Sequence, residues 1–438
     1  MKPRPSFMFL LLLHLAVGAA VSFAAEVPGL PMARPEDVGL SSEALRDVRA
    51  LLDENVSKKS IAGAVGLVAR KGKVAWLETA GHAEIDEGRP MAPTTIFRIC
   101  SMTKPITSVA AMILVDEGKL SLEDPVAKYI PEFRESRVVV KHAPANGDGA
   151  GFELAPAMRP VKVLDLMTHT SGLTYFNPQI SEIQDKAGVT NGLIESDITL
   201  AENARRIATL PLLHQPGSAF EYGLSTDVLG RVVEVASGMP LDAFFKKRIF
   251  DPLGMKDTSF RVTAEKRDRL AAAYRPSNGG IEELPDGPIG EVPLRYSASY
   301  PYAGAGSCFS GGGGLVSTVP DYFRFLLMLR NGGELDGARI LKKETVENMT
   351  RSHTDGVQVG IQNHGDKFGL GFGVVTPAAK DRGLGSEGTY SWGGFYYTYF
   401  WVDPKKDLVG IVMAQLHPWD GHSLWDDFRK RVYAAVKD

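Results

Sequence analysis

Apolar strand patterns stand at both ends of this chain, and helical patterns fill its middle. Near the start, Gly63-Ala64-Val65-Gly66-Leu67-Val68-Ala69 is a short unbroken apolar run. Lys71-Gly72-Lys73 then makes a turn, and Val74 to Leu77 reads as the returning strand. Near the end, Phe395 to Val402 and Leu408 to Gln415 read as strands before a terminal helix. Between these regions helical periodicity dominates from Val161 to Phe250, broken at Gly238-Met239-Pro240. Strands need partners, so the pattern predicts an α/β protein of the α+β type. Its antiparallel sheet is built from both chain ends, and a large helical region is inserted between them.

Shorter signals refine this outline. Ser41 and Ser42 open a helix with Leu45, Val48, Leu51 and Leu52 on one face, and Ile106 to Glu117 is an apolar helix ended by Gly118. The Pro-, Gly- and Ala-rich stretch 141–160 reads as a surface loop, and 269–306 shows no clear periodicity. Gly311 to Gly314 lead into Leu315-Val316-Ser317-Thr318 and a helix from Pro320 to Leu329. With 46 glycines and 27 prolines in 438 residues, a purely helical bundle is disfavoured, and the absence of a G-X-Y period removes collagen. The length allows two or three domains, or one enlarged one. Forty-nine basic against 52 acidic residues leave a net charge of −3, which is no footprint for nucleic acid or an anionic membrane.

Lys2 and Arg4 precede an apolar run from Phe7 to Phe23, and Ser22-Phe23-Ala24 supplies a small-x-small cleavage pattern. Residues 1–24 therefore read as an export signal cut after Ala24, which implies a periplasmic or secreted protein. An uncleaved anchor is the alternative, but the run is short for a membrane span. Without it, no stable membrane anchor remains. Cys100 and Cys308 are the only cysteines, too few for a disulfide framework; two unpaired buried thiols are expected, with a single bridge as the alternative.

The chemistry narrows by elimination. No H-E-x-x-H or H-x-H occurs, and His417 and His422 are spaced wrongly for one helical face, so a zinc site is not expected. The sequence offers neither a phosphate-cradling G-x-x-x-x-G-K-[ST] nor a G-x-S-x-G nucleophile elbow. No cofactor is implied, and nothing marks a particular carboxylate pair. What remains is Ser101-Met102-Thr103-Lys104, the single S-x-x-K in the chain. Residues three apart on a helix lie about 5–6 Å apart at Cβ, so the Lys104 amine can reach the Ser101 hydroxyl. A helix start also offers free N–H groups to an oxyanion. Taken alone, Ser101 as a helix cap and Lys104 as a solvated first-turn residue is the commoner outcome of such a motif. Pro105 would clash with the Ser101 carbonyl in a regular helix, so the first turn is predicted to be opened or 3₁₀-like.

Several segments in order resemble the serine β-lactamase-like superfamily, which includes penicillin-binding proteins, class C β-lactamases and family VIII carboxylesterases. Phe97 to Lys104 looks like its nucleophile segment, and Leu166-Met167-Thr168-His169-Thr170-Ser171-Gly172-Leu173 like its "LLTHTSGL" segment. Tyr222-Gly223-Leu224 stands where the family has Y-x-N, followed by Leu229-Gly230. Gly312 to Thr318 resembles its glycine-rich segment, and Ser391-Trp392-Gly393-Gly394 takes the place of its K-T-G strand. The resemblance implies one discontinuous domain over 35–435, with a sheet region of about 35–110 plus 305–438 and a helical region of about 111–304. It also implies Ser101 as the acylated nucleophile, Lys104 and Tyr222 sharing the proton transfers, and the N–H groups of Ser101 and Phe395 as an oxyanion hole. By itself Tyr222 would read as a core tyrosine. His169 reads as structural, its ring anchoring a turn, and Gly311–Gly314 as close backbone packing beside the site.

Two departures carry information. Trp392 replaces the lysine that can hold a β-lactam carboxylate, and an indole offers only one neutral donor. Leu224 replaces an asparagine amide. Both changes favour an apolar ester without a required carboxylate, so the resemblance is closest to the family VIII esterases. From Tyr390 to Trp401, eight of twelve residues are aromatic, part of them core and part lining a cleft. Trp392, Gly393, Gly394 and Leu224 are thus the expected pocket residues, for a small-molecule ester or amide. Peptidase or weak β-lactamase activity, and a silent binding protein, are the competing expectations.

Overall fold

The computed structural model describes residues 29–142, 152–175, 177–178, 180–290, 295–361, 364–419 and 421–437. The segment read as an export signal lies outside them. Helix α1, Ser42–Ser57, begins as its sequence requires, the Ser41 hydroxyl accepting from the Ala44 N–H. Strands β1, Gly63–Arg70, and β2, Lys73–Glu84, follow as an antiparallel pair, and the short β3, Arg89–Pro90, closes that edge. Helix α2, Thr103–Asp116, is buried all round over its first twelve residues. Helix α3, Ser225–Ser237, packs on it, and helix α4, Val319–Arg330, comes later. The C-terminal part adds β4, Lys367–Phe368; β5, Gly373–Val374; β6, Tyr390–Gly394; β7, Thr398–Asp403; β8, Leu408–Met413; and helix α5, Leu424–Ala434.

These strands form one antiparallel sheet in the order β4-β5-β6-β7-β8-β1-β2-β3. The join between the two chain ends is the β1–β8 pair, with Leu67 opposite Ile411. Alternate residues serve opposite faces. Leu67, Ile411 and Phe400 belong to the larger core with α2 and α4, where Tyr322 meets Phe400 at 5.3 Å between ring centroids. Val68, Trp76, Val412 and Trp401 belong to a second core under α1 and α5, where Phe428 contacts both Trp76 and Trp401. Gly410 sits opposite Trp401 because a Cβ there would lie 2.1 Å from the indole. Truncating Trp401 would cost about 3–5 kcal/mol.

Three local readings need correction. The stretch 141–160 is not wholly loop, since Arg137–His142 pairs with Phe152–Pro156. A second hairpin, Tyr274–Ser277 with Gly280–Glu283, lies in the stretch without periodicity. The aromatic run is two strands, and Phe395 sits in the turn between β6 and β7 rather than inside a strand. Tyr397, at φ 71°, makes that turn, a conformation bulky residues rarely adopt. Cys100 and Cys308 are both free. Among the described residues no helix is long and apolar enough to cross a membrane.

Candidate functional site

Ser101 lies in a 3₁₀ turn, Cys100–Met102, that runs directly into α2. The predicted irregularity is present as this 3₁₀ turn, in which the Thr103 N–H bonds Cys100 O three residues back, and Pro105 has no N–H to offer the Ser101 carbonyl. Cys100 enters the turn at φ 43°, a left-handed conformation that kinks the chain just before the serine. The short pairing of Phe97–Arg98 with Val316–Ser317 holds the segment from one side. On the other side, a Cβ at Gly394 would lie 2.4 Å from Ile99 O, so the end of β6 rests against the nucleophile segment. Phe395 follows at once. Its carbonyl accepts from Trp419 Nε1 at 3.2 Å, and its ring stacks on His417 at 3.5 Å between centroids.

Lys104 is 1% exposed, and its amine makes three bonds. Nζ donates to Gly312 O at 2.7 Å, to Ser101 Oγ at 3.1 Å and to Tyr175 Oη at 3.2 Å. Tyr222 meets the same amine through its ring, with Nζ 4.7 Å from the centroid. The structure therefore brings Ser101, Lys104 and Tyr222 together, and it adds Tyr175, which the sequence reading did not single out.

Behind this group lies Asp227 on α3, completely buried. Its Oδ1 accepts from Ser310 Oγ at 2.5 Å and from the Gly312 N–H at 3.3 Å, and its Oδ2 accepts from Tyr175 Oη at 3.4 Å. Burial pushes the Asp227 carboxyl up, while Ser310 and the Lys104 charge pull it down. Burial and the facing carboxylate push the Tyr175 phenol well above its usual value. Gly312 is a glycine for a spatial reason: a Cβ there would lie 2.4 Å from Asp227 Oδ2 and 2.7 Å from Tyr175 Oη.

The other wall is aromatic. Tyr222 packs against His169, Tyr175 and Trp392 at 4.8, 5.6 and 5.4 Å between centroids. His169, buried and at φ 54°, accepts the Gly223 N–H at Nδ1, 3.4 Å away, and its carbonyl accepts the Glu221 N–H. Burial, and then the Lys104 charge, push its imidazole well below its ordinary range. The ring thus holds the Tyr222 segment in place and faces no open space. Trp392 is buried beside Tyr222, with Nε1 unpaired among the described residues.

Leu224 lines a small cavity of about 60 Å³ with Tyr175, Gln184, Ile194 and Arg295. Gly393 does not belong with the pocket residues, because strand alternation points its missing side chain at Trp425 and His364. A separate cavity of about 590 Å³ is lined in part by the charged residues Glu84, Arg98 and Glu283, and Ser101 is not among its lining residues. Among the described residues no group of three or more His, Cys, Asp or Glu side chains is arranged to hold a metal ion.

Chemically, a serine hydroxyl beside a buried amine at a helix start is suited to acyl transfer. Comparison with known proteins agrees with that geometry. A family model described as Beta-lactamase matches residues 48–434. Esterase EstB of Burkholderia gladioli is 34% identical over 399 residues, covering 88% of this chain and 94% of that protein. Lovastatin esterase of Penicillium rubens is 30% identical over 371 residues, covering 79% and 87%. Among solved structures, EstCE1, a hydrolase with promiscuous acyltransferase activity, superposes with a TM-score of 0.76 at 28% identity, covering 89% of this chain and 98% of that one.

Proposed function

The chain belongs to the β-lactamase family, and from that premise we propose that it is a serine hydrolase cleaving apolar or short-chain carboxylic esters through an acyl-enzyme on Ser101. The observation that carries this reading is the 3.1 Å contact between Lys104 Nζ and Ser101 Oγ at the start of a buried helix. In its neutral form Lys104 takes the Ser101 proton as Oγ attacks the ester carbonyl carbon. The oxyanion that forms faces the N–H groups of Ser101 and Phe395. Lys104 and Tyr222 return the proton to the departing alkoxide. Water then attacks the acyl-enzyme, giving one proton to the same pair, and Ser101 Oγ leaves with it. An alcohol in place of that water completes acyl transfer by the same steps.

The ester preference is supported by EstB and lovastatin esterase, both named as esterases. Within the site it is supported by Trp392 and Leu224, both buried and apolar where a β-lactam would need a cation and an amide. We place the enzyme outside the cytoplasm, delivered by residues 1–24. The test is labelling with a fluorophosphonate, read by intact mass, beside hydrolysis of a short-chain aryl ester. Wild type should gain one adduct and turn over. Ser101→Ala should do neither, and undiminished activity in that variant overturns the mechanism. A D-Ala-D-Ala peptide and a chromogenic cephalosporin, assayed in parallel, should be turned over more slowly than the ester.

A further inference from the structure

Lys104 presents an orientation problem. A neutral amine has two N–H bonds and one lone pair, and Nζ has three neighbours within hydrogen-bond reach. Only if both N–H bonds are committed elsewhere does the lone pair face Ser101 Oγ. Gly312 O is a carbonyl and can only accept, which fixes one N–H at 2.7 Å. Tyr175 Oη is ambiguous, because a phenol can donate to the amine or accept from it. A donating Tyr175 would occupy the lone pair and disable the base.

The geometry points to Asp227 as the positioning residue that settles this choice. Its Oδ2 takes the Tyr175 hydroxyl proton in a hydrogen bond, so that Tyr175 Oη accepts from Lys104 and the amine lone pair is left to Ser101. The 3.4 Å Tyr175–Asp227 separation is long for a hydroxyl bond, as catalytic contacts without substrate often are. Asp227 is itself held by donors on its other oxygen, Ser310 Oγ and the Gly312 N–H. It therefore grips both partners of Lys104, Tyr175 through Oδ2 and Gly312 through its N–H. Burial raises the Asp227 carboxyl overall, and Ser310, the Lys104 charge and the Gly312 N–H act against that rise. The titratable groups facing Asp227 and Lys104 are Tyr175, Tyr222, His169 and the thiols of Cys100 and Cys308.

This inference rests on the proposed ester hydrolysis, and its failure is separable from the failure of that reading. If wild type hydrolyses no aryl ester, the functional reading falls. If wild type is active and Asp227→Asn matches it, the positioning role falls alone. The expected result for Asp227→Asn is a kcat about a hundredfold lower with KM within a few-fold, the cost of a misaligned base. A packing defect alone would lower the thermal midpoint and raise KM together with the loss in kcat. Tyr175→Phe should show a similar kcat loss. The double variant should lose no more than the worse single one, because Asp227 acts through Tyr175. Fully additive losses, or a kcat loss matched by a raised KM and a lowered thermal midpoint, would overturn the proposal.

Discussion

Lys104 is enclosed by two walls built on different principles. The polar wall, Tyr175, Asp227, Ser310 and Gly312, is a chain of hydrogen bonds in which each bond fixes the direction of the next. The aromatic wall, Tyr222, His169 and Trp392, is held by ring contacts and leaves the Trp392 Nε1 unpaired among the described residues. A hydrogen-bonded wall orients protons and is intolerant of small displacements. Apart from the Tyr222 hydroxyl, which shares the proton transfers, a ring-packed wall fills volume and excludes water, and it tolerates conservative change. Perturbations of the two walls should therefore differ in kind as well as in size.

The largest effect comes from the residue both walls serve. Lys104→Ala should lower kcat for an aryl ester by about 10³–10⁴-fold, the range of a lost general base, while the protein remains folded. Folding is checked by the thermal transition. A variant with more than a tenth of wild-type kcat would mean that the walls surround something other than the base.

Next in size is a break in the polar wall. Gly312→Ala forces a Cβ to 2.4 Å from Asp227 Oδ2 and 2.7 Å from Tyr175 Oη, and one of those groups must shift. A displacement of about 1 Å beside the base costs on the order of a hundredfold in kcat. The matching steady-state assay on Gly279→Ala is the control, since neither glycine is at positive φ and Gly279 has open space around it. Equal losses in the two variants would show that an added methyl acts generally, and not through the polar wall.

The walls also differ in how much of them was legible in the sequence. Ser101 and Lys104 were legible because a three-residue spacing on one helix is a local property. Tyr222 was legible only through family motifs, since a lone tyrosine reads as core. Tyr175 and Asp227 were missed because a tyrosine beyond Gly172 and an aspartate inside α3 meet only when α3 packs on α2. A signal existed, namely an acid directly before the apolar stripe Val228, Leu229, Val232 and Val233 of α3. In the fold, β1 and β8 were legible as unbroken apolar runs because both their faces are covered. The break between β6 and β7 was not, since Phe395, Tyr396 and Tyr397 have strand-like side chains while the backbone turns. The hairpin pairing Arg137–His142 with Phe152–Pro156 was hidden by its Pro and Gly content.

Acid should test the aromatic wall through His169. Its imidazole is buried and held well below its ordinary range, whereas in the unfolded chain it titrates near 6.5. The folded form therefore stays neutral while the unfolded form takes up a proton. Stability is complete above about pH 6.5 and falls as pH drops below it, by about 1.4 kcal/mol per pH unit from this one residue. Denaturant titrations at pH 7 and pH 5 measure the slope. His169→Asn, which tolerates the left-handed backbone, should be less stable at pH 7 but lose less on acidification. An unchanged slope would assign the acid sensitivity to other groups.

The smallest effect is expected at Trp392, and it sharpens the contrast most. Trp392→Phe keeps a ring against Tyr222 and Phe368, removes an N–H that has no partner among the described residues, and leaves a small void. Relief of an unsatisfied donor and the cost of the void are each about 1–2 kcal/mol, so they offset and stability should change by less than about 1 kcal/mol. If the aromatic wall only fills space, kcat stays within about threefold and KM for an apolar ester rises slightly. A loss of more than tenfold in kcat, with KM unchanged, would mean that the Trp392 N–H meets the reacting ester in the transition state. Trp392 would then direct a proton as the Tyr222 hydroxyl does, and space-filling in this wall would be left to the His169 ring.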